Sequence, residues 1–201
     1  MKKRPDLAHE ALHLGCIAGL DEVGCGPWAG PLVAAAVILP EQLPPFMHQI
    51  DDSKKLTKNK REFLYQEICL AAFDFGIGIV NVDELDELKL RGALPIALAQ
   101  AAANLEQKPD VLLVDGIRNP KLPYATTLIK RGDQLSLSIA TASVIAKVTR
   151  DRIMEDLHND YPMYGWQNNA GYGTLYHQIA LQKHGISPYH RKSYKPIQAM
   201  M

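Results

Sequence analysis

The chain has 201 residues, with 22 lysines and arginines against 22 aspartates and glutamates, and 47% of it is hydrophobic. That excludes a disordered or fibrous chain and fits one domain, or a domain with a small appendage. No apolar run approaches the ~18 residues of a membrane-spanning helix, so no membrane partner is expected.

The zero net charge is unevenly spread. Residues 1–117 hold 11 basic and 17 acidic side chains, and residues 118–201 hold 11 and 5. A basic C-terminal part that tracks phosphates and an ordinary solvated face are both open readings. Met1-Lys2-Lys3-Arg4 has the charge of a secretory leader, but Asp6, His9, Glu10 and His13 break any apolar core behind it. Cys16, Cys25 and Cys69 have neither disulfide nor zinc spacing. A reducing cytoplasm is the expected location.

Ile17–Asp21 reads as a short strand ending in an acid, followed by a loop built on Gly24, Gly26 and Pro27. Leu32–Leu39 is a continuous apolar run, hence a strand buried on both faces, closed by Pro40, Pro44 and Pro45. Phe63, Leu64, Ile68 and Ala71 form a helical stripe over Thr57–Ala72, with Thr57 as N-cap. Phe73–Val80 is a third strand whose Gly76 and Gly78 allow close approach. Asp83–Lys89 begins a helical region, and Gly92–Leu105 is an alanine-rich helix with Pro95 near its first turn. Val111–Val114 is a buried strand that delivers Asp115 at its end, Ala125–Ile129 is a fifth strand, and Ser136–Leu157 is a long helix rich in small residues. Ser138, Thr141 and Ser143 suit close packing on a sheet. Phe63, Phe73, Phe75, Met154 and Leu157 read as core, and Trp166 as either core or site. Thr174–His184 is a further helix, and Pro188–Pro196 a basic, irregular tail. Strands first, then helix–strand alternation, predict an α/β domain with a central mixed five-stranded sheet flanked by helices and a C-terminal helical extension.

Two features carry chemistry: the pair Asp21-Glu22 running into a glycine turn, and Asp115 directly after an apolar strand. Carboxylates at neighbouring strand ends can converge on a divalent cation. Because successive strand residues face opposite ways, Asp21 and Glu22 share a site only if Glu22 lies where the pleat gives out. Asp151, beside Arg150, is a candidate fourth ligand or a surface ion pair. Acids at strand ends are also ordinary turn residues and caps, so the residues alone leave both readings open.

The segment from Ile17-Ala18-Gly19-Leu20-Asp21-Glu22-Val23-Gly24-Cys25-Gly26-Pro27-Trp28 to Pro31 strongly resembles the signature of the ribonuclease HII family. So do Asp52-Ser53-Lys54-Lys55-Leu56, Val114-Asp115-Gly116, Ser138-Ile139-Ala140 through Lys147-Val148-Thr149-Arg150-Asp151, and Gly171-Tyr172-Gly173-Thr174 followed by His190-Arg191. The resemblance runs from Ile17 to Pro196. It implies a ribonuclease H-like catalytic domain over residues 1–160, with residues 161–201 as a helical cap and basic tail packed on it. It also implies Mg²⁺ or Mn²⁺ held by Asp21, Glu22, Asp115 and Asp151. The implied activity is endonucleolytic cleavage of the RNA strand of RNA–DNA hybrids, and of ribonucleotides embedded in duplex DNA, leaving 5′-phosphate and 3′-hydroxyl ends. A monomer is expected.

On the same resemblance, Gly24, Cys25 and Gly26 read the ribose 2′-hydroxyl and Tyr172 stacks on the neighbouring sugar. From the residues themselves, Lys54 and Lys55 read as phosphate contacts or as a solvated face, and Lys147, Arg150, Arg191 and Lys192 as a phosphate track. Where the family usually has Gly-Arg-Gly, this chain has Cys25, and Ala170 stands where a basic residue commonly precedes Gly-Tyr-Gly-Thr. The expected consequence is weaker substrate binding or altered junction preference, with hydrolysis retained. Rival readings are a junction resolvase or integrase on the same fold, the related ribonuclease HIII, for whose extra N-terminal domain about 16 residues leave no room, and a hybrid-binding module without activity.

Overall fold

The computed structural model describes residues 4–201. Its centre is a five-stranded sheet of β1 (Ile17–Val23), β2 (Leu32–Ile38), β3 (Asp74–Val80), β4 (Val111–Asp115) and β5 (Ala125–Ile129), in the order β3-β2-β1-β4-β5. The strands β1, β2 and β3 pair antiparallel, whereas β4 lies parallel to both β1 and β5. The continuous apolar run of β2 makes it the most enclosed strand, all seven residues being buried.

The helices are α1 (Lys58–Ala71), α2 (Val82–Ala103), α3 (Leu137–Asp160), α4 (Trp166–Asn169), α5 (Leu175–His184) and α6 (Lys195–Gln198). Side chains alternate across the sheet, so each face has its own core. Ala18, Leu20, Ala34, Ala36 and Leu112 pack with Leu85, Ala97 and Ala101 of α2. Ala35 and Val37 pack with Leu64 and Ile68 of α1 and with Ala140, Val144 and Val148 of α3. Small residues let the helices come this close: a Cβ on Gly78 would run into the Ala97 carbonyl of α2. A third cluster joins Ala29 and Met154 to Tyr164, Trp166, Ala180, Leu181 and Ile197.

Several expectations hold in detail. Thr57 caps α1 through its hydroxyl, as Ser136 and Thr174, not singled out as caps in the sequence, do for α3 and α5, and the three cysteines are free. Trp166 is core, fully buried. The two helical stretches expected after β3 are both present, as the two parts of α2 on either side of a break at Lys89, whose φ is 57°. Others are corrected. Phe63 and Phe73 are not core but 44% and 63% exposed; Phe63 lies on the outer side of α1 under the Lys60 ammonium, 4.7 Å from its ring centre. The tail is only partly irregular: it holds α6, and His190 and Arg191 are fully buried. Among the described residues no helix is long and apolar enough to cross a membrane.

Candidate active site

The parallel register Leu20↔Val114, continued by one residue, sets Asp21 beside Asp115 on the face that carries α3. The sequence suggested that the pleat ends at Glu22. Instead β1 continues to Val23, held by the antiparallel pairs Glu22↔Ala34 and Val23↔Val33. What gives out is the other side: β4 stops at Asp115, so past that point β1 has a partner on one edge only. Glu22 therefore opens on two clefts at once. One, of about 200 Å³, is lined by Asp21, Glu22, Ser53, Lys54, Ser143, Lys147 and Tyr172. The other, of about 1090 Å³, is bordered by Glu22, Asp115, Arg91, Arg118 and Lys121 among others.

Each carboxylate has a hydrogen bond of its own. Asp21 Oδ1 accepts from the Glu22 N–H (2.8 Å), Glu22 Oε1 from the Cys25 thiol (3.6 Å), and Asp115 Oδ1 from the Gly132 N–H (2.6 Å). Asp151 sits on α3 and holds the ammonium of Lys147 at 2.5 Å, with Arg61 at 3.5 Å. Its link to the cleft is Lys147, which lines it. Among the described residues no three His, Cys, Asp or Glu side chains form a ready-made ion-binding group.

The crowding is electrostatically costly. Burial first, then Glu22 and Asp115, push Asp21 well above the carboxylate range. Burial and Asp115 raise Glu22, with partial relief from the Cys25 thiol and Lys54. Lys54 is held charged: burial works against its ammonium, but Asp21, Asp133, Asp52 and Asp115 together outweigh it. Its place is fixed because the Asp52 carboxylate caps its N–H (3.0 Å) and Ser53 Oγ meets Ser143 Oγ of α3 at 2.7 Å. Burial lowers Lys147 despite Asp151. Asp133, which the sequence did not single out, is also buried near this group. Burial, Asp52 and Asp115 raise it to about 6. Its only sequence signal is a Gly-Asp turn, which reads as a loop.

The glycine loop is held from behind. Gly24 has φ +100°, and a Cβ there would stand 2.5 Å from Arg150 Nε, so a side chain at this position is excluded. Tyr194 Oη donates to the Cys25 carbonyl (2.7 Å), leaving Gly26 exposed beside the Tyr172 ring. Tyr172 itself is 44% exposed. Burial and Glu22 push the Cys25 thiol up to about 12, which removes it as a nucleophile at neutral pH. Accordingly, Cys25→Ala should keep kcat within about threefold in a hybrid-cleavage assay; nucleophilic catalysis would instead lose it by orders of magnitude.

The phosphate track expected at Arg150 and Arg191 is corrected, because both are 0% exposed. Arg150 donates to the Pro31, Ala29 and Ala170 carbonyls, each at 2.9 Å. Arg191 donates to the Gly30 and Pro31 carbonyls and to Tyr194 Oη. These guanidiniums are spent on the loop that follows Glu22. Lys55 is turned to Asp51 (3.0 Å). The site thus gathers Asp21, Glu22, Asp115, Lys54, Lys147, Gly24, Cys25, Gly26 and Tyr172, with Asp151 behind Lys147.

A mixed five-stranded sheet of this order, flanked by helices and carrying acids where its central strands end, is the ribonuclease H-like fold of nucleic-acid hydrolases. A family model described as Ribonuclease HII matches residues 18–197. A Ribonuclease HII of Wolbachia pipientis is 46% identical over 198 residues, 98% of this chain and 100% of that one. A solved ribonuclease H2 from Pyrococcus horikoshii superposes with a TM-score of 0.80 at 28% identity, covering 92% of this chain and 97% of that one. An RNase HII of Archaeoglobus fulgidus, solved in complex with PCNA, does so at 0.75 and 26%, covering 90% and 96%. The chain belongs to the ribonuclease HII family and is an endoribonuclease acting on the RNA of RNA–DNA hybrids.

Proposed function

We propose that this enzyme cuts the RNA strand of hybrids, and single ribonucleotides embedded in duplex DNA, by divalent-metal-dependent hydrolysis that leaves 5′-phosphate and 3′-hydroxyl ends. The observation that carries this reading is the β1–β4 register, which aligns Asp21 with Asp115 while Glu22 opens on both clefts. The donor set fits the cation: carboxylate oxygens at adjoining strand ends suit hard ions such as Mg²⁺ or Mn²⁺. Asp21, Glu22 and Asp115 would hold it, with Asp151 as the fourth carboxylate. Bound there, the metal supplies Lewis-acid polarisation of the phosphate and a more acidic attacking water.

The chain's own groups do the rest. Lys54, kept charged by the surrounding acids, offsets charge on the phosphate. The backbone of Gly24, Cys25 and Gly26 meets the 2′-hydroxyl, and Tyr172 packs on the neighbouring sugar. Residues 161–201 act as a cap that carries Tyr172 to the catalytic face. Cleavage of a duplex with one embedded ribonucleotide tests the reading. Activity that needs Mg²⁺ or Mn²⁺ and vanishes with EDTA is expected, and cutting in EDTA would refute it.

With Arg150 and Arg191 buried, the substrate strand needs other cations. Arg91, Arg118 and Lys121 border the larger groove next to Glu22 and Asp115, are exposed, and make no ion pair among the described residues. Removing a phosphate contact flattens the dependence of log K on log salt by about 0.9 per contact. Each of Arg91→Ala, Arg118→Ala and Lys121→Ala should therefore raise KM, leave kcat unchanged and lower the salt slope by that amount.

A further inference from the structure

The fully buried His177 and His190 face each other beneath the loop that presents Tyr172, and no acid figures among the groups that shift them. Their partners fix each proton. The Ser187 N–H donates to His190 Nδ1 at 2.8 Å, so Nδ1 carries a lone pair and a neutral His190 bears its proton on Nε2. The Tyr172 carbonyl, which can only accept, lies 2.9 Å from His177 Nδ1, so that nitrogen bears a proton and His177 Nε2 is an acceptor. The two Nε2 atoms are 3.0 Å apart, and the Trp166 Nε1–H also points at His177 Nε2, from 3.2 Å. One assignment accounts for these contacts: Ser187 N–H to His190 Nδ1, which the Ser187 hydroxyl at 2.9 Å also donates to, His190 Nε2–H to His177 Nε2, and His177 Nδ1–H to the Tyr172 carbonyl.

A second proton on His177 would set N–H against N–H at Trp166 and His190, and one on His190 would face the Ser187 N–H, with only the Ser187 hydroxyl, at 2.9 Å, able to accept it. Burial, then the facing His177, hold His190 down to about 4, and burial also lowers His177. The pair is a neutral relay that runs from the tail to the backbone of Tyr172. The Tyr172 carbonyl also accepts from the Thr174 N–H, and the Tyr172 N–H donates to the Asn169 carbonyl, both at 2.8 Å. These local bonds set the turn, while the His177 bond ties it to the body of the cap.

We propose that His177 and His190 are positioning residues for substrate recognition, holding Tyr172 in place through this directed hydrogen-bond chain. The inference rests on Tyr172 touching the substrate's sugar, as proposed above.

The test is a double-mutant cycle on steady-state cleavage of a duplex with one embedded ribonucleotide. His177→Ala should raise KM about tenfold with kcat within about twofold, and should add almost nothing in a Tyr172→Ala background, since residues that act as one unit are non-additive. His177→Asn, whose amide N–H can stand in for Nδ1–H, should recover most of the loss, whereas His177→Gln should not. Leu181→Ala, in the same cap core, destabilises without touching the relay and should leave KM unchanged. If His177→Ala fails to fold, His177→Asn against His190→Asn carries the comparison, with only His190→Asn expected to raise KM.

A KM effect that multiplies in full with that of Tyr172→Ala, or one that Leu181→Ala reproduces, overturns the relay alone. Tyr172→Ala without any effect overturns the reading of Tyr172 and the relay together.

Discussion

Replacing Asp21, Glu22 or Asp115 singly by its amide is expected to lower kcat for hybrid cleavage by about 10³-fold, the order lost when one preorganised charge-stabilising group leaves an active site. The amide keeps the shape and the hydrogen bonds to the Glu22 and Gly132 N–H groups but removes the charge. Hybrid affinity, measured at equilibrium in Ca²⁺, should change by less than about threefold, because the groove cations and the loop backbone are untouched. Stability should move the other way. Asp21 is buried among like charges, so Asp21→Asn relieves repulsion and should raise Tm in EDTA by about 2–4 °C per kcal/mol relieved. Lower activity with higher stability separates a functional carboxylate from a structural one. A fall in both at Asp21 would mark it as a capping residue.

The second large effect falls on a residue the chemistry never touches. Arg150→Met removes a donor from three carbonyls: that of Ala29, which is buried, that of Ala170, which is part-buried, and that of Pro31, which keeps Arg191. An unpaired buried acceptor costs about 1–3 kcal/mol, so the variant should lose about 2–4 kcal/mol once water recovers part of the loss at Ala170. A shift in the urea midpoint with unchanged m-value would measure it. Activity should fall too, because Gly24 packs directly on the Arg150 side chain and the glycine loop loses its support. The salt slope of substrate binding should stay as it is. A slope flatter by about 0.9 would instead return Arg150 to the phosphate contacts.

The strand-end acids were legible because each follows an apolar run: Leu20 before Asp21, and Val111–Val114 before Asp115. The start of α1 was legible because Thr57 carries its own cap. Glu22 was harder. Its position depends on β2 holding β1 to Val23 while β4 stops at Asp115, and neither neighbour is local in sequence. Arg150 and Arg191 were misread for a related reason. A long basic side chain is surface by default, and only the cage of carbonyls at Ala29, Gly30 and Pro31, more than 100 residues away in sequence, explains its burial. Asp133 gave only the signal of a loop, since its character comes from burial and from Asp52 and Asp115 across the fold. Cys25 was visible as a departure, yet only the structure shows that its carbonyl is tied to Tyr194 and its thiol to Glu22.

The anomalous scattering of Mn²⁺ in crystals of the wild-type enzyme bears most directly on the whole account. Density between the carboxylates of Asp21, Glu22 and Asp115, lost in Asp115→Asn, is the predicted result. Manganese bound only elsewhere, in protein that still cleaves hybrid, would contradict it.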